Sequence, residues 1–404
     1  MPTWEMVAGA NAGVVITANV FALWLAGMLN GTTTEARTQA KVYASYNWTN
    51  LYVRCSSFTG PGNATVISRI GAANGALTVT VTGTGTFTDT TNSDSPVDQN
   101  LVNYQISNLG GGNKTVTITG STLQDTTTNI TLNMSINSAG TVAFGINRYA
   151  PIGGRLHGPA TADMAATETD VQYTLRRTTT YSNARVFVSI NGLDGATLWR
   201  FRVDLGNGAQ SISIGAGLTG AFEDTTNSDV VAAGSEIDYN IDTTASTVSN
   251  IAVTLAQVKH TSTGREMAAA APRPNAFVAD GYFVAESDMS AQATESNTQI
   301  AARAAFTARN LMVNVTAHAA GAASDIFLRV DTANSALTVN VPASTTGIIE
   351  DTTNQVSIAV GDLYNYFLDS GGESLTPSIF GMEQAPVDAL VDLPQGKLNV
   401  LLRM

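Results

Sequence analysis

Asp224-Thr225-Thr226-Asn227 is a tetrapeptide that the chain uses three times, the other copies being Asp89-Thr90-Thr91-Asn92 and Asp351-Thr352-Thr353-Asn354. A glycine stands four residues before each Asp (Gly85, Gly220, Gly347) and a tyrosine fifteen after it (Tyr104, Tyr239, Tyr366). Spacing held over that distance means one backbone path repeated, because an insertion between the markers would have broken it. Upstream, Thr34-Glu35, Thr167-Glu168 and Thr294-Glu295 are followed by Gln39, Gln172 and Gln299, then by Asn50, Asn183 and Asn310. Arg69, Arg202 and Arg329 come next, ahead of Asn74-Gly75, Asn207-Gly208 and Asn334-Ser335. The glutamates are 133 and 127 residues apart, so the chain of 404 divides into three domains of ordinary size.

The second copy reads most clearly. Ala184-Arg185-Val186-Phe187-Val188-Ser189-Ile190 and Thr197-Leu198-Trp199-Arg200-Phe201-Arg202-Val203 alternate apolar and polar residues, the pattern of half-buried strands. Asn207-Gly208 is expected to make a tight turn with positive φ at both positions. Ser211 to Ile214, Gly220 to Glu223, Glu236 to Ile241 and Ser249 to Val258 supply further strands, with a turn residue between each and the next. With a lead-in strand this gives roughly eight strands per copy and no helical periodicity. The expected fold is all-β: three tandem antiparallel β-sandwich (jelly-roll) modules of about 130 residues, preferred over the shorter immunoglobulin type with its paired cysteines. Counting back from Glu35 places an arm at 1–16, with Trp4 and Met6 as contact residues, and modules at 17–150, 151–276 and 277–404.

Composition agrees, since 44% apolar content suffices for packed cores while only 13% is charged and Thr, Ser, Asn and Gly fill the polar remainder. A net charge of −12 with few lysines leaves no basic stripe to neutralise phosphates, which disfavours nucleic acid as a partner. The one cysteine, Cys55, excludes intrachain disulfides and lies in an alternating run as a small core residue. Residues 13–29 are apolar, but Thr17, Asn19 and glycines interrupt them and no Lys or Arg precedes Arg37. Neither a signal peptide nor a membrane span is expected there.

The repeated residues include groups that could carry chemistry. Asp89 and Asn92, Asp224 and Asn227, and Asp351 and Asn354 offer oxygens to a calcium ion, but adjacent carboxylates on a strand point to opposite faces and the first copy has Thr88 where the others have Glu223 and Glu350. The favoured reading is a self-bonded turn between strands, with a weak ion site as the alternative. Tyr104, Tyr239 and Tyr366 sit on apolar faces and are expected to bury their rings with the hydroxyls tied to turns. Arg202 and Arg329 have Asp204 and Asp331 two residues on, which points to a surface ion pair. His157, His260 and His318 occupy unlike positions in the copies, and no nucleophile elbow, phosphate loop or metal-ligand spacing occurs. No catalytic, cofactor or metal residue is assigned.

Gly220-Ala221-Phe222-Glu223-Asp224-Thr225-Thr226-Asn227 with Gly234 and Tyr239, and Glu350-Asp351-Thr352-Thr353-Asn354 with Gly361-Asp362 and Tyr366, resemble the jelly-roll modules of tailed-phage virion proteins found in head decorations, head fibres and some tail fibres. Trimeric modules of the tumour-necrosis-factor and complement C1q type are similar. The first copy departs at Gln99 in the glycine position, beside Pro96 and Asp98, so its turn is expected to be rebuilt; the third has Ile349 in place of the aromatic. The resemblance implies a non-enzymatic virion protein on the particle surface, a capsid decoration or cement protein or a fibre. Its partners would be the major capsid protein or other virion proteins, and it would form a homotrimer or a pseudo-threefold monomer. The alternative is a receptor- or glycan-binding tail fibre or adhesin, gripping through Tyr46-Asn47, Trp48 or Tyr364-Asn365.

Overall fold

Alternating β-branched and aromatic residues between turn residues produce strands throughout, and a computed structural model places these strands in six sheets, with no α-helix among the described residues. Those residues are 4–15, 20–23, 27–28, 30–109, 115–126, 130–136, 140–156, 164–262, 264–271, 276–287, 289, 291–319 and 321–386. His157 and residues 387–404 lie outside them.

The first sheet pair contains β1 (Trp4–Val15), β2 (Val20–Leu23), β3 (Trp48–Thr59), β4 (Asn63–Ile70), β5 (Ala73–Val81), β6 (Gly85–Asp94), β7 (Leu101–Leu109) and β8 (Thr115–Asp125). Its sheets run β1-β8-β3-β6 and β2-β7-β4-β5, the jelly-roll order. The second pair has β9 (Ile130–Ile136), β10 (Asn147–Ala150), β11 (Thr179–Asn191), β12 (Thr197–Val203), β13 (Gly206–Ile214), β14 (Gly220–Val231), β15 (Glu236–Asp242) and β16 (Asn250–Thr261). The third has β17 (Arg265–Ala270), β18 (Gly281–Phe283), β19 (Phe306–His318), β20 (Ser324–Val330), β21 (Ala333–Val341), β22 (Gly347–Ile358), β23 (Leu363–Asp369) and β24 (Leu375–Pro386). Both repeat the order of the first: β9-β16-β11-β14 with β10-β15-β12-β13, and β17-β24-β19-β22 with β18-β23-β20-β21.

This pairing differs from the divisions drawn on sequence. Trp4–Val15, expected as an arm, is a strand paired with Thr115–Asp125. Ile130–Ile136 pairs with Asn250–Thr261, and Arg265–Ala270 with Leu375–Pro386, so each opening strand starts before the expected boundaries at 151 and 277. Trp4–Val15 and Arg265–Ala270 share Glu-Met-x-Ala (Glu5 to Ala8, Glu266 to Ala269), but Ile130–Ile136 lacks it, so counting from the repeated glutamates missed them.

Between each pair of sheets lies one of three apolar clusters. Val53, Cys55 and Tyr104 belong to the first, Val186, Trp199 and Tyr239 to the second, Val313, Leu337 and Tyr366 to the third. Full burial of one such aliphatic side chain contributes about 1.5–3 kcal/mol. Cys55 is fully buried and burial raises its thiol pKa, as a core residue requires. On β15 both faces are buried, Ile237, Tyr239 and Ile241 in the core and Asp238 and Asn240 on the other side, where Asn240 donates to the Arg148 carbonyl on β10.

Two turns fall elsewhere than expected. The hairpin between β12 and β13 closes on Asp204-Leu205, whose φ values of 49° and 63° give the left-handed pair that a two-residue hairpin needs, and Asn207 lies in the strand beyond. Asp331-Thr332 repeats it with 47° and 70°. Gln99 does not rebuild its turn. It takes φ 72° where Gly234 and Gly361 have 90° and 98°, and each donates its N–H over 2.8 Å to the carbonyl of Val42, Leu175 or Ala302. A left-handed residue with a Cβ is strained, so Gln99→Gly is expected to stabilise the chain by about 0.5–1 kcal/mol in chemical denaturation.

Candidate functional site

The repeated residues assemble into two devices per sheet pair and then into seams between the pairs. The first device is a wide bulge. Asp-Thr-Thr-Asn lies inside β6, β14 and β22 and not between strands: Asp224 pairs with Ala184 and Ser228 with Ser182, so three residues oppose the single Asn183. Asn50, Asn183 and Asn310, read from sequence only as strand openers, all take φ 54° there, a conformation that asparagine tolerates. Asp224 Oδ1 accepts from the Thr226 and Asn227 amides, both at 3.1 Å, and from the Thr226 hydroxyl. Asp224 Oδ2 accepts from Asn227 Nδ2 and from Ser211 N on β13, both at 2.9 Å, which ties the edges of the two sheets together. Asp89 and Asp351 repeat the arrangement with Thr78 N and Thr338 N. Burial opposes ionisation, but these hydrogen bonds outweigh it and hold all three carboxyls at about 2.

The second device corrects the expected arginine pairing. Arg202 bonds in a fork to Glu168 at 2.8 Å through both Nε and Nη2, and reaches Asn207 Oδ1 and the Leu205 carbonyl. Arg69 does the same with Glu35, Asn74 and Ala72, and Arg329 with Glu295, Asn334 and Thr332. Asp204 and Asp331 instead accept from the Glu236 and Leu363 amides. The repeated Glu, Arg and Asn are thus one hydrogen-bonded unit clamping the lead-in segment to the hairpin.

Tyr104, Tyr239 and Tyr366 are buried to 1%, 0% and 0% exposure, and burial raises the phenol pKa of Tyr104 and Tyr239. Tyr239 Oη makes no hydrogen bond among the described residues, so the expected tie to a turn is missing there. His260 is buried against Tyr181, and desolvation together with nearby Arg265 lowers its pKa to about 3. His318 bonds to the Pro342 carbonyl and the Ser324 hydroxyl. Among the described residues no three His, Cys, Asp or Glu side chains gather as a metal group. Of the glycan-gripping candidates, Tyr46, Trp48, Tyr364 and Asn365 are buried, Tyr46 and Trp48 with ring centroids 5.7 Å apart, and Asn47 is half-buried and donates to the Thr126 hydroxyl at 2.9 Å.

One copy breaks its own pattern. Asn103 and Asn365 donate to the hydroxyls of Thr38 and Thr298, but the second pair has Asp238 and Val171 in their places. Asp238 is fully buried, and its carboxyl meets another carboxyl, that of Glu168, in place of the amide–hydroxyl pair. Desolvation, then the charge of Glu168, raises its pKa well above 3.8 against the pull of Arg202. Asp238→Asn with Val171→Thr is expected to stabilise the chain by about 1–3 kcal/mol near neutral pH. A raised carboxyl penalises folding only once the unfolded chain ionises, so the gain should vanish at low pH and grow above 3.8. Urea titrations across that range read it.

Seams between sheet pairs were not legible in sequence. The first lead-in segment lies on the β11/β16 face: Arg185 donates to the Gln39 carbonyl at 2.9 Å, Gln257 bonds both backbone groups of Lys41, and Lys41 pairs with Glu223 at 2.7 Å. The second lies on the β19/β24 face. Asn314 donates to the carbonyls of Thr169 and Gln172, Arg176 pairs with Glu350, Arg177 pairs with Glu383, and Gly381 leaves room for the Tyr173 ring. The third returns to β3/β8: Thr122 donates to the Ala301 carbonyl at 3.3 Å, Ile300 packs at Gly120, and Arg303 stacks 4.8 Å over Tyr52. Three seams built from equivalent positions close the chain into a ring.

No family model matches the chain, and no curated protein matches it. Solved structures that match include the VP2 subviral particle of infectious bursal disease virus, 10% identical with 99% of this chain and 86% of that one covered, at a TM-score of 0.20. A structure of the Gx strain of that virus is 10% identical, covers 95% and 81%, and has a TM-score of 0.18. Scores that low carry no argument.

Proposed function

We propose that the chain is a non-enzymatic structural protein on the exterior of a virus particle, a capsid decoration or cement protein of the tailed-phage type that acts through contacts with the major capsid protein or other virion proteins. The observation that carries this reading is the closed ring of seams. The repeated residues lie in bulges, hairpin clamps and seams of three sheet pairs, where a catalyst would converge them on one cleft. On this reading the chain is three modules divided at the connectors after Asp125 and Thr261, and one chain is a pseudo-threefold unit suited to a threefold position on a shell. A ring fits a decoration better than an end-to-end fibre. Burial of Tyr46, Trp48, Tyr364 and Asn365 takes away the support for glycan binding.

Imaging of purified particles of the virus that encodes the chain, with mass spectrometry of their proteins, tests this. The expected result is the chain in fixed ratio to the capsid subunit, seen as a three-lobed outer density. Particles without it, or with it only at a tail tip, contradict the proposal.

A further inference from the structure

The three seams are equivalent in place but not in charge. In the first, Glu223 stands across the strand pair from Arg185 and holds both Arg185, at 3.1 Å, and Lys41. In the second, Glu350 stands across from Met312 and holds Arg176. In the third that position, across from Tyr52, is Thr88, and Thr88 is exposed. The cation equivalent to Arg176 is nonetheless kept, as Arg303 over the Tyr52 ring. A second arginine, Arg54, projects from β3 two residues beyond Tyr52, where the second seam has Asn314. Arg54 Nε is buried and has no hydrogen-bond partner among the described residues. Burying a guanidinium nitrogen unpaired is costly, and an anion is its natural complement.

The third seam is also the lightest. Short connectors, between Asp125 and Ile130 and between Thr261 and Arg265, tie the first pair to the second and the second to the third. Apolar clusters cross those same seams: Leu132, Met134 and Leu255 join the first core, and Met312 and Ile379 join the second. The third core contains no residue of the first pair among those described.

We propose that the seam between the third and first sheet pairs is an anion site, in which a small oxyanion or a carboxylate takes the place that Glu223 and Glu350 fill in the other seams and is held by Arg54 and Arg303 above Thr88. The bound anion closes the ring at the joint that lacks both a connector and a shared core. The inference rests on the seams and is independent of where the protein acts.

The test is thermal unfolding of the full chain at fixed pH and ionic strength, in chloride and with inorganic phosphate replacing part of it. Three proteins are compared: the natural chain, Arg54→Gln and Thr88→Glu. Phosphate also strengthens apolar burial in any protein, so the variants decide the matter. The expected result is a phosphate-induced rise in Tm for the natural chain that is much smaller in both variants. Thr88→Glu, which supplies its own carboxylate, should start above the natural chain in chloride. Equilibrium dialysis with labelled phosphate should give one site per chain, lost in Arg54→Gln. No rise in the natural chain with either phosphate or acetate, an equal rise in all three proteins, or phosphate retained by Arg54→Gln would each overturn the proposal. A carboxylate source is distinguished by repeating the series with acetate: a rise with acetate but not phosphate assigns the site to carboxylates.

Discussion

Glu383→Ala is expected to cost about 3 kcal/mol of stability and to loosen the contact between the second and third sheet pairs. Glu383 is 1% exposed, yet it receives Arg177 from the second lead-in, Arg309 through two bonds at 2.8 and 2.9 Å, and Asn310 at 2.7 Å. Removing it leaves two guanidinium groups facing each other. Their side chains are 25% and 35% exposed, so water recovers part of the loss, and the figure belongs at the low end of the range for breaking a buried pair. Burial alone would raise the Glu383 pKa, but the bonds from Arg309 and Arg177 lower it below 4.5. A depressed folded pKa means the contribution is present above the ordinary glutamate range and is lost as pH falls through the folded value. Urea denaturation should therefore separate variant from natural chain at neutral pH and bring them together in acid.

Asp224→Ala should cost about 2 kcal/mol, the second largest effect expected of a single substitution here. Its carboxylate accepts from three backbone amides, one of them on the opposite sheet, and so holds the bulge against Asn183. Thr226, Asn227 and Ser211 are exposed, so water can satisfy some of the orphaned amides and the cost stays below a fully buried loss. Its carboxyl pKa falls from 3.8 to about 2 on folding, so this stabilisation is complete above 3.8 and disappears as pH drops towards 2. Because Asp89 and Asp351 behave alike, the natural chain should lose stability steeply across that window, and Asp224→Ala less steeply.

Much of this was legible in the residues. Alternation gave the strands, and the triplicated spacing gave three copies of one path, since both are local or periodic signals. The arginine partner was missed although a signal existed. Glu35 to Arg69, Glu168 to Arg202 and Glu295 to Arg329 are all 34 residues apart, whereas an Asp two residues after the Arg occurs only in the second and third copies. Asn183 and Asp224 meet across a strand pair, and nothing along the chain shows that a left-handed asparagine and a four-residue motif share one bulge. The opening strands Trp4–Val15 and Arg265–Ala270 share Glu-Met-x-Ala, but Ile130–Ile136 does not, and a short match in two copies of three is a weak signal beside the longer repeat. Seam residues such as Lys41 and Glu223 lie 182 positions apart and differ between copies.

Small-angle X-ray scattering of the purified monomer tests the central claim, the closing of three sheet pairs into a ring, most directly. Three bodies of about 14 Å radius of gyration, in mutual contact around a ring, predict about 25 Å for the chain. The same bodies in a line would give about 33 Å, and that value for a chain of monomeric mass would contradict the account.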